Sequence, residues 1–293
     1  MFTGCLDENT IGCPDYMRFV FYMSDIHEPS ADYDSHVGND IALYIFKDKE
    51  LTYSNLIPYA EIEGGKEYVM RKTPETAGNL EFVAWAVPRT KEAASVPNYQ
   101  VGDLFYDQFI SHMVTRAGTH YDHLEYDVHL GTKSSVEAID VPSTHMINML
   151  YAPCRVEVRI RDVDNILQAS TPGNDMHVLV HGVMSQMDLR KQGVGAQAVV
   201  SVPLLSCPSE EEEEGERFVT ERFDVLPSAN GQNVSVQVIS NNRVAVTLTI
   251  PQGSLPKGAE SGELLIFEHT LGYPYFLIIV ADFTIKIAIV DGM

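Results

Sequence analysis

The sequence predicts an all-β protein. Two observations predict it: apolar residues recur at every second position, and long helical periodicity is scarce. The chain has 293 residues, which suits two β-domains of ordinary size or one large one. Hydrophobic residues make up 45%, enough for a packed core. The formal net charge is −21, which repels phosphate backbones and anionic lipid surfaces, so nucleic acid is not expected as a partner. No stretch reaches the roughly 18 consecutive apolar residues of a membrane helix.

The elements follow in chain order. Met17, Phe19, Phe21 and Met23 form one apolar face of a first strand. Ile41–Phe46 is apolar on both faces, as in a strand covered twice. Phe82–Val87 is similar and stops at Pro88, because proline cannot donate to a ladder. Residues 103–130 are rich in Asp, His and Tyr and predict a long loop, with a short helix around Asp107 to Val114. Strand character resumes near Met146. Val156, Val158 and Ile160 alternate with Arg155, Glu157, Arg159 and Arg161, the pattern of a half-solvated strand.

A hairpin is expected around Ser240-Asn241-Asn242. A two-residue turn would set Val236 against Thr247 and Val238 against Ala245. A three-residue loop, Ser240 to Asn242, sets Val238 against Val244 and Val236 against Val246. Facing apolar rows favour the second, with an asparagine in the left-handed region. Tyr273 to Ala281 reads as a buried strand, and Phe283, Ile285, Ile287 and Ile289 form a last one. Glu210 to Glu214 is a solvated acidic loop, without the spaced ligands of a calcium site. Pro142-Ser143-Thr144 is the expected linker. The domains are then an N-terminal segment 1–14, a β-domain 15–143 and a second β-domain 144–293.

Reactive chemistry is thin. Cys5, Cys13, Cys154 and Cys207 contain no close CxxC pair, so neither a zinc knuckle nor a dithiol site is indicated. His120-Tyr121-Asp122-His123, with His112 and His129, is the best cluster for a borderline metal. His120, His123 and His129 are its candidate ligands. No HExxH supplies a general base, so no metal and no cofactor is expected. No GxSxG elbow, P-loop or GxGxxG after a strand is present. An enzyme is therefore not expected.

Several segments carry a family resemblance. They are Cys5-Leu6-Asp7-Glu8, Gly12-Cys13-Pro14 and Met17–Tyr22, then His36–Asp48, Leu80–Ala86 and Gly102–Tyr106. Thr220–Phe223 and Phe283–Ile287 fit more loosely. In this order they resemble the FimB/Mfa2 family of fimbrial anchor and accessory proteins of Bacteroidales. Ser24–Pro29 and the His-rich stretch 112–129 depart from the family pattern. The resemblance implies two tandem transthyretin-like β-sandwich domains. It also implies a surface-exposed, lipid-anchored outer-membrane subunit that holds, starts or limits a type V fimbria, with fimbrial stalk or minor subunits as partners.

Cys5 is the expected lipidation site. Thr3 and Gly4 are the small residues a lipoprotein peptidase needs before its cysteine, and Asp7-Glu8 resembles an acidic surface-export signal. Two or more acyl chains give a stable tether where one does not, at about 0.8 kcal/mol per buried methylene. β-strand addition would join subunits. Met17–Met23 and Phe283–Val290 are the candidate strands. The resemblance implies that an anchor keeps its first strand, so no maturation cut is expected after Arg18 or Arg71. The alternative is a fimbrial tip adhesin or a glycan- or host-binding lipoprotein using Tyr106, Tyr121 and Tyr126.

Overall fold

In the computed structural model the described residues are 15–24, 39–87, 102, 109–111, 115–117, 120–121, 128–167, 175–207, 216–229, 232–250, 259–260, 262–280 and 283–288. Strand predominates among them and helix is nearly absent, so the chain is all-β. The first strands are β1 (Tyr16–Ser24), β2 (Asp40–Lys47), β3 (Glu50–Ile57), β4 (Tyr68–Arg71) and β5 (Gly78–Val87). A one-turn helix, α1 (Tyr59–Ile62), lies between β3 and β4. Three short strands follow: β6 (Phe109–Ser111), β7 (Thr115–Ala117) and β8 (His120–Tyr121). Then come β9 (His129–Glu137), β10 (Ser143–Tyr151), β11 (Cys154–Asp162), β12 (Met176–Asp188), β13 (Gly193–Pro203) and β14 (Leu205–Cys207). The last are β15 (Glu216–Val219), β16 (Phe223–Val225), β17 (Ser235–Ser240), β18 (Arg243–Thr249), β19 (Leu264–Thr270), β20 (Tyr275–Val280) and β21 (Phe283–Ala288).

By their internal contacts the strands form two compact units. The first holds one sheet of order β3-β2-β5-β9-β10-β1-β4. β5 and β1 are three strand steps apart, about 14 Å in a flat sheet. Yet the Phe19 and Phe82 rings meet edge to face at 5.2 Å between centroids. The sheet therefore folds over into two layers, β3-β2-β5-β9 facing β10-β1-β4. β9 and β10 pair only at Leu130↔Leu150 and His129↔Tyr151, which is the corner. The core between the layers contains Met17 and Phe19 of β1, Ile41, Leu43 and Ile45 of β2, Leu80 and Phe82 of β5, and Ile147 and Met149 of β10.

The described side chains expected to be covered on both faces, Ile41–Phe46 and Phe82–Ala86, are so. Ile41–Phe46 is buried throughout, and Trp85 is 1% exposed. β10 lies beyond the expected boundary at 143/144 but belongs to the first unit. It runs parallel to β1 from Met17↔Ser143 to Ser24↔Leu150, and the division falls between Tyr151 and Ala152.

The second unit packs two sheets face to face. One has the order β14-β15-β11-β19-β20-β21, with β16 also on β11. The other has the order β18-β17-β12-β13-β8-β7, with β6 on β12. Val156, Val158, Ile160, Phe267 and Phe276 of the first share a core with Val178, Val180, Val200, Val236 and Val238 of the second. On β11 Val156, Val158 and Ile160 are buried as the alternation predicts, but Glu157 on the other face is buried too, and Arg155, Arg159 and Arg161 are only partly exposed. At two glycines the backbone of another segment comes close, Asn233 at Gly182 of β12 and Pro227 at Gly193 of β13. A Cβ would stand 1.9 Å from the Asn233 oxygen at Gly182 and 2.1 Å from the Pro227 oxygen at Gly193.

Three expectations are corrected. No helix forms at Phe109–Ser111, which pairs with β12 as strand, and β7 and β8 form a small hairpin. Tyr275–Val280 is a strand buried on one face only, through Phe276 and Ile278. The hairpin turn has two residues, not three: Ser240 pairs with Arg243, and Asn241 and Asn242 have φ of 51° and 58°. Ile239 then faces Val244, and a bulge at Ala245 sets Val238 against Val246 and Val236 against Leu248. The extra residue restores the facing apolar rows that the short turn alone would break. The Glu210–Glu214 run lies outside the described residues.

Candidate strand-addition interface

β1 is an interior strand of its sheet. On one side it pairs with β10 along its length. On the other it pairs with β4 from Tyr16↔Arg71 to Phe19↔Tyr68. Past Phe19 no strand is paired on that side among the described residues. Met17 and Phe19 are fully buried. Burying side chains of this size is worth about 1.5–3 kcal/mol each, so loss of β1 would open the core.

β4 is held at both ends. Tyr68 Oη lies 3.0 Å from Tyr53 Oη and accepts from Asn55 Nδ2 at 2.9 Å, which ties β4 to β3 and links the two ends of the strand order. Burial, with the Tyr68 hydrogen bond, pushes the Tyr53 phenol up. Arg71 Nε meets Asp15 Oδ2 at 2.7 Å. The Lys72 amide donates to the Asp15 carbonyl at 2.6 Å.

Lys72 also anchors a buried polar network. Its Nζ donates to Glu137 Oε2 at 2.8 Å, to the Ala138 carbonyl at 2.9 Å and to the Val141 carbonyl. Ser135 Oγ donates to Glu137 Oε1 at 2.6 Å, and His145 Nε2 lies 3.1 Å from the same oxygen. Burial pushes the Glu137 carboxyl up, but hydrogen bonds from Lys72, Ser135 and Ser143 outweigh it and hold it below the usual range. Burial lowers His145, partly offset by Glu137. Its ring sits 4.5 Å from Phe82 and 5.4 Å from Phe19. No local sequence signal marks this network, because Lys72 and Glu137 are 65 residues apart along the chain.

β21, the other candidate strand, ends the order of its sheet and pairs antiparallel with β20 from Tyr275↔Ala288 to Val280↔Phe283. Lys286 Nζ stands 3.4 Å from the Tyr275 ring centroid. A lysine on an end strand hinders indiscriminate pairing.

The remaining predicted residues fall as follows. Cys5, Cys13, Tyr106, His123 and Tyr126 lie outside the described residues. His120 and Tyr121 form β8, which runs parallel to β13. His129 is buried in β9, its ring 5.5 Å from that of Tyr151. Among the described residues no group of three or more His, Cys, Asp or Glu is placed to hold a metal. Cys154 is buried and Cys207 exposed, both as free thiols.

No curated protein sequence matches the chain. Among solved structures, the fimbrial anchor protein Mfa2 from Porphyromonas gingivalis is similar, with TM-score 0.59, 15% identity and coverage of 93% of this chain and 99% of that one. A candidate polysaccharide-binding protein from Bacteroides thetaiotaomicron gives TM-score 0.61, 13% identity and coverage of 93% and 98%. A candidate adhesin from Bacteroides ovatus gives TM-score 0.58, 13% identity and coverage of 94% and 95%. At such identities these show a shared fold. The family model of fimbrillin-A associated anchor proteins matches residues 12–288, nearly the whole chain. The chain belongs to the family of fimbrillin-A associated anchor proteins Mfa1 and Mfa2.

Proposed function

We propose that this chain is a non-enzymatic, surface-exposed lipoprotein of the outer membrane, tethered through Cys5, that anchors or limits a type V fimbria by β-strand addition. The observation that carries the reading is the family match over residues 12–288. The interior position of β1 supports a subunit that keeps its first strand. Arg18 lies within β1, paired on both sides, so the bond after it is a poor protease substrate, whereas Arg71 ends the outer strand β4 with its side chain exposed. The position of β21 at the end of its sheet among the described residues supports it as the strand that adds to a neighbour.

The test has two arms. Cells fed an alkyne fatty acid should label the wild type and not Cys5→Ala; labelling that persists removes the tether. Surface material should co-purify with a fimbrial stalk subunit and keep its residues before Met70. A new N-terminus at Met70 to Thr73 would favour a stalk role instead.

A second reading is favoured by the fold shared with the candidate adhesin and polysaccharide-binding protein. In it the chain is a tip adhesin or a glycan- or host-binding lipoprotein, with Tyr106, Tyr121 and Tyr126 as contacts. Glycan-array binding lost on changing those tyrosines would establish it.

A further inference from the structure

The end of the first unit at which β1 begins also carries an exposed apolar loop. β1 and β10 run parallel from the pair Met17↔Ser143. The chain therefore enters these two strands at neighbouring points, about 5 Å apart. Before β1 comes the N-terminal segment that contains Cys5. Before β10 comes the β9–β10 loop, residues 138–142. Val136, Ile139 and Val141 are 80%, 45% and 53% exposed. Lys72 ties the two entry points together. Its amide donates to the Asp15 carbonyl at 2.6 Å, and its buried ammonium donates to the Ala138 and Val141 carbonyls. A buried charge thus fixes the loop backbone while its branched side chains stay in water.

The size of the patch and its position select what covers it. A standard protein interface buries about 800 Å² on each side, from about 20–30 residues. Three aliphatic side chains fall well short of that. They suffice for a surface already held close, because a tether makes the second contact intramolecular. Cys5 lies ten positions before Asp15, a reach of at most about 33–36 Å. A bilayer holding a lipid on Cys5 is within that reach of the loop.

We infer that the 138–142 loop docks on the lipid surface to which Cys5 is tethered, with Val136, Ile139 and Val141 entering the boundary between headgroups and acyl chains. The inference rests on the Cys5 tether. Stable membrane anchoring takes two signals, and the loop adds an apolar contact to the lipid. Asp140, exposed at the turn of the loop, keeps the contact shallow, because its carboxylate stays in the hydrated headgroup layer. The net charge of −21 favours a zwitterionic surface over an anionic one.

The test couples the full chain through Cys5 to a maleimide-headgroup lipid in phosphatidylcholine vesicles, so that the tether is supplied chemically. Cys13→Ser and Cys207→Ser remove competing thiols, and Cys154 is buried. Ile139→Trp then reports the depth of the loop through quenching by brominated phosphatidylcholine. Its emission should shift to the blue and fall, and adding Val136→Asp and Val141→Asp should abolish both changes. Leu56→Trp is the control. Leu56 is 52% exposed, but successive antiparallel pairing of β3, β2, β5 and β9 puts it at the opposite end of the unit from the loop. It should not be quenched. The native Trp85 is buried and common to both variants, and circular dichroism checks that each folds. Unquenched emission from Ile139→Trp, or equal quenching of both variants, overturns the loop contact while leaving the tether standing. Fatty-acid labelling that persists in Cys5→Ala removes the tether first, and the docking with it.

Discussion

Lys72 shows how much a single buried charge can decide. Its side chain is fully buried, and it holds Glu137 and two carbonyls at the end of the first unit. Removing one partner of a buried pair costs about 3–5 kcal/mol, because the other charge stays buried. Lys72→Met should therefore lower the unfolding free energy by about that much, measured by urea denaturation. Lys72→Met with Glu137→Leu should recover a large part, since no orphaned charge remains. The pH dependence has a definite sign. His145 and Glu137 both have folded values below their ordinary ones, so the unfolded chain binds more protons. Their stabilisation is complete above the unfolded values, about 6.5 for histidine and about 4.3 for glutamate, and is lost as pH falls through the folded values. The stability advantage of wild type over His145→Gln should shrink as pH falls from about 7 to about 5.

Among the elements, β2 and β5 were legible because their apolar runs leave no face for water. The β17–β18 hairpin was legible in part. Its asparagines do take the left-handed region, but the turn is one residue shorter than apolar pairing alone suggests. Turn geometry and side-chain pairing are satisfied together by the bulge at Ala245, which local pattern does not reveal. Deleting Ala245 should leave Val238 against Val246 in a regular ladder, with amide exchange of β17 unchanged or slower. Faster exchange across β17 would show that the bulge is needed for the fold. β6 invites a helical reading because a short apolar stretch fits both periods, and only pairing with β12 selects strand.

At the scale of the whole molecule, the net charge of −21 opposes compaction through self-repulsion. The Debye length falls from about 30 Å at 0.01 M to about 8 Å at 0.15 M. Calorimetric Tm should therefore rise between those sodium chloride concentrations; a fall would mean that attractive ion pairs such as Arg155–Asp224 outweigh the repulsion. The sequence by itself determined the all-β class, the doubly covered strands β2 and β5, and the ordered segments that mark the family. Those are local properties, because strand periodicity and short motifs are written in adjacent residues. Only the tertiary structure decided that β10 joins β1, that β7 and β8 join the second unit's sheet, and that Lys72, Glu137 and His145 meet. It also brought Arg161 opposite Arg217. These depend on register between strands far apart in the chain, which is fixed by the sum of core packing and not by any one segment.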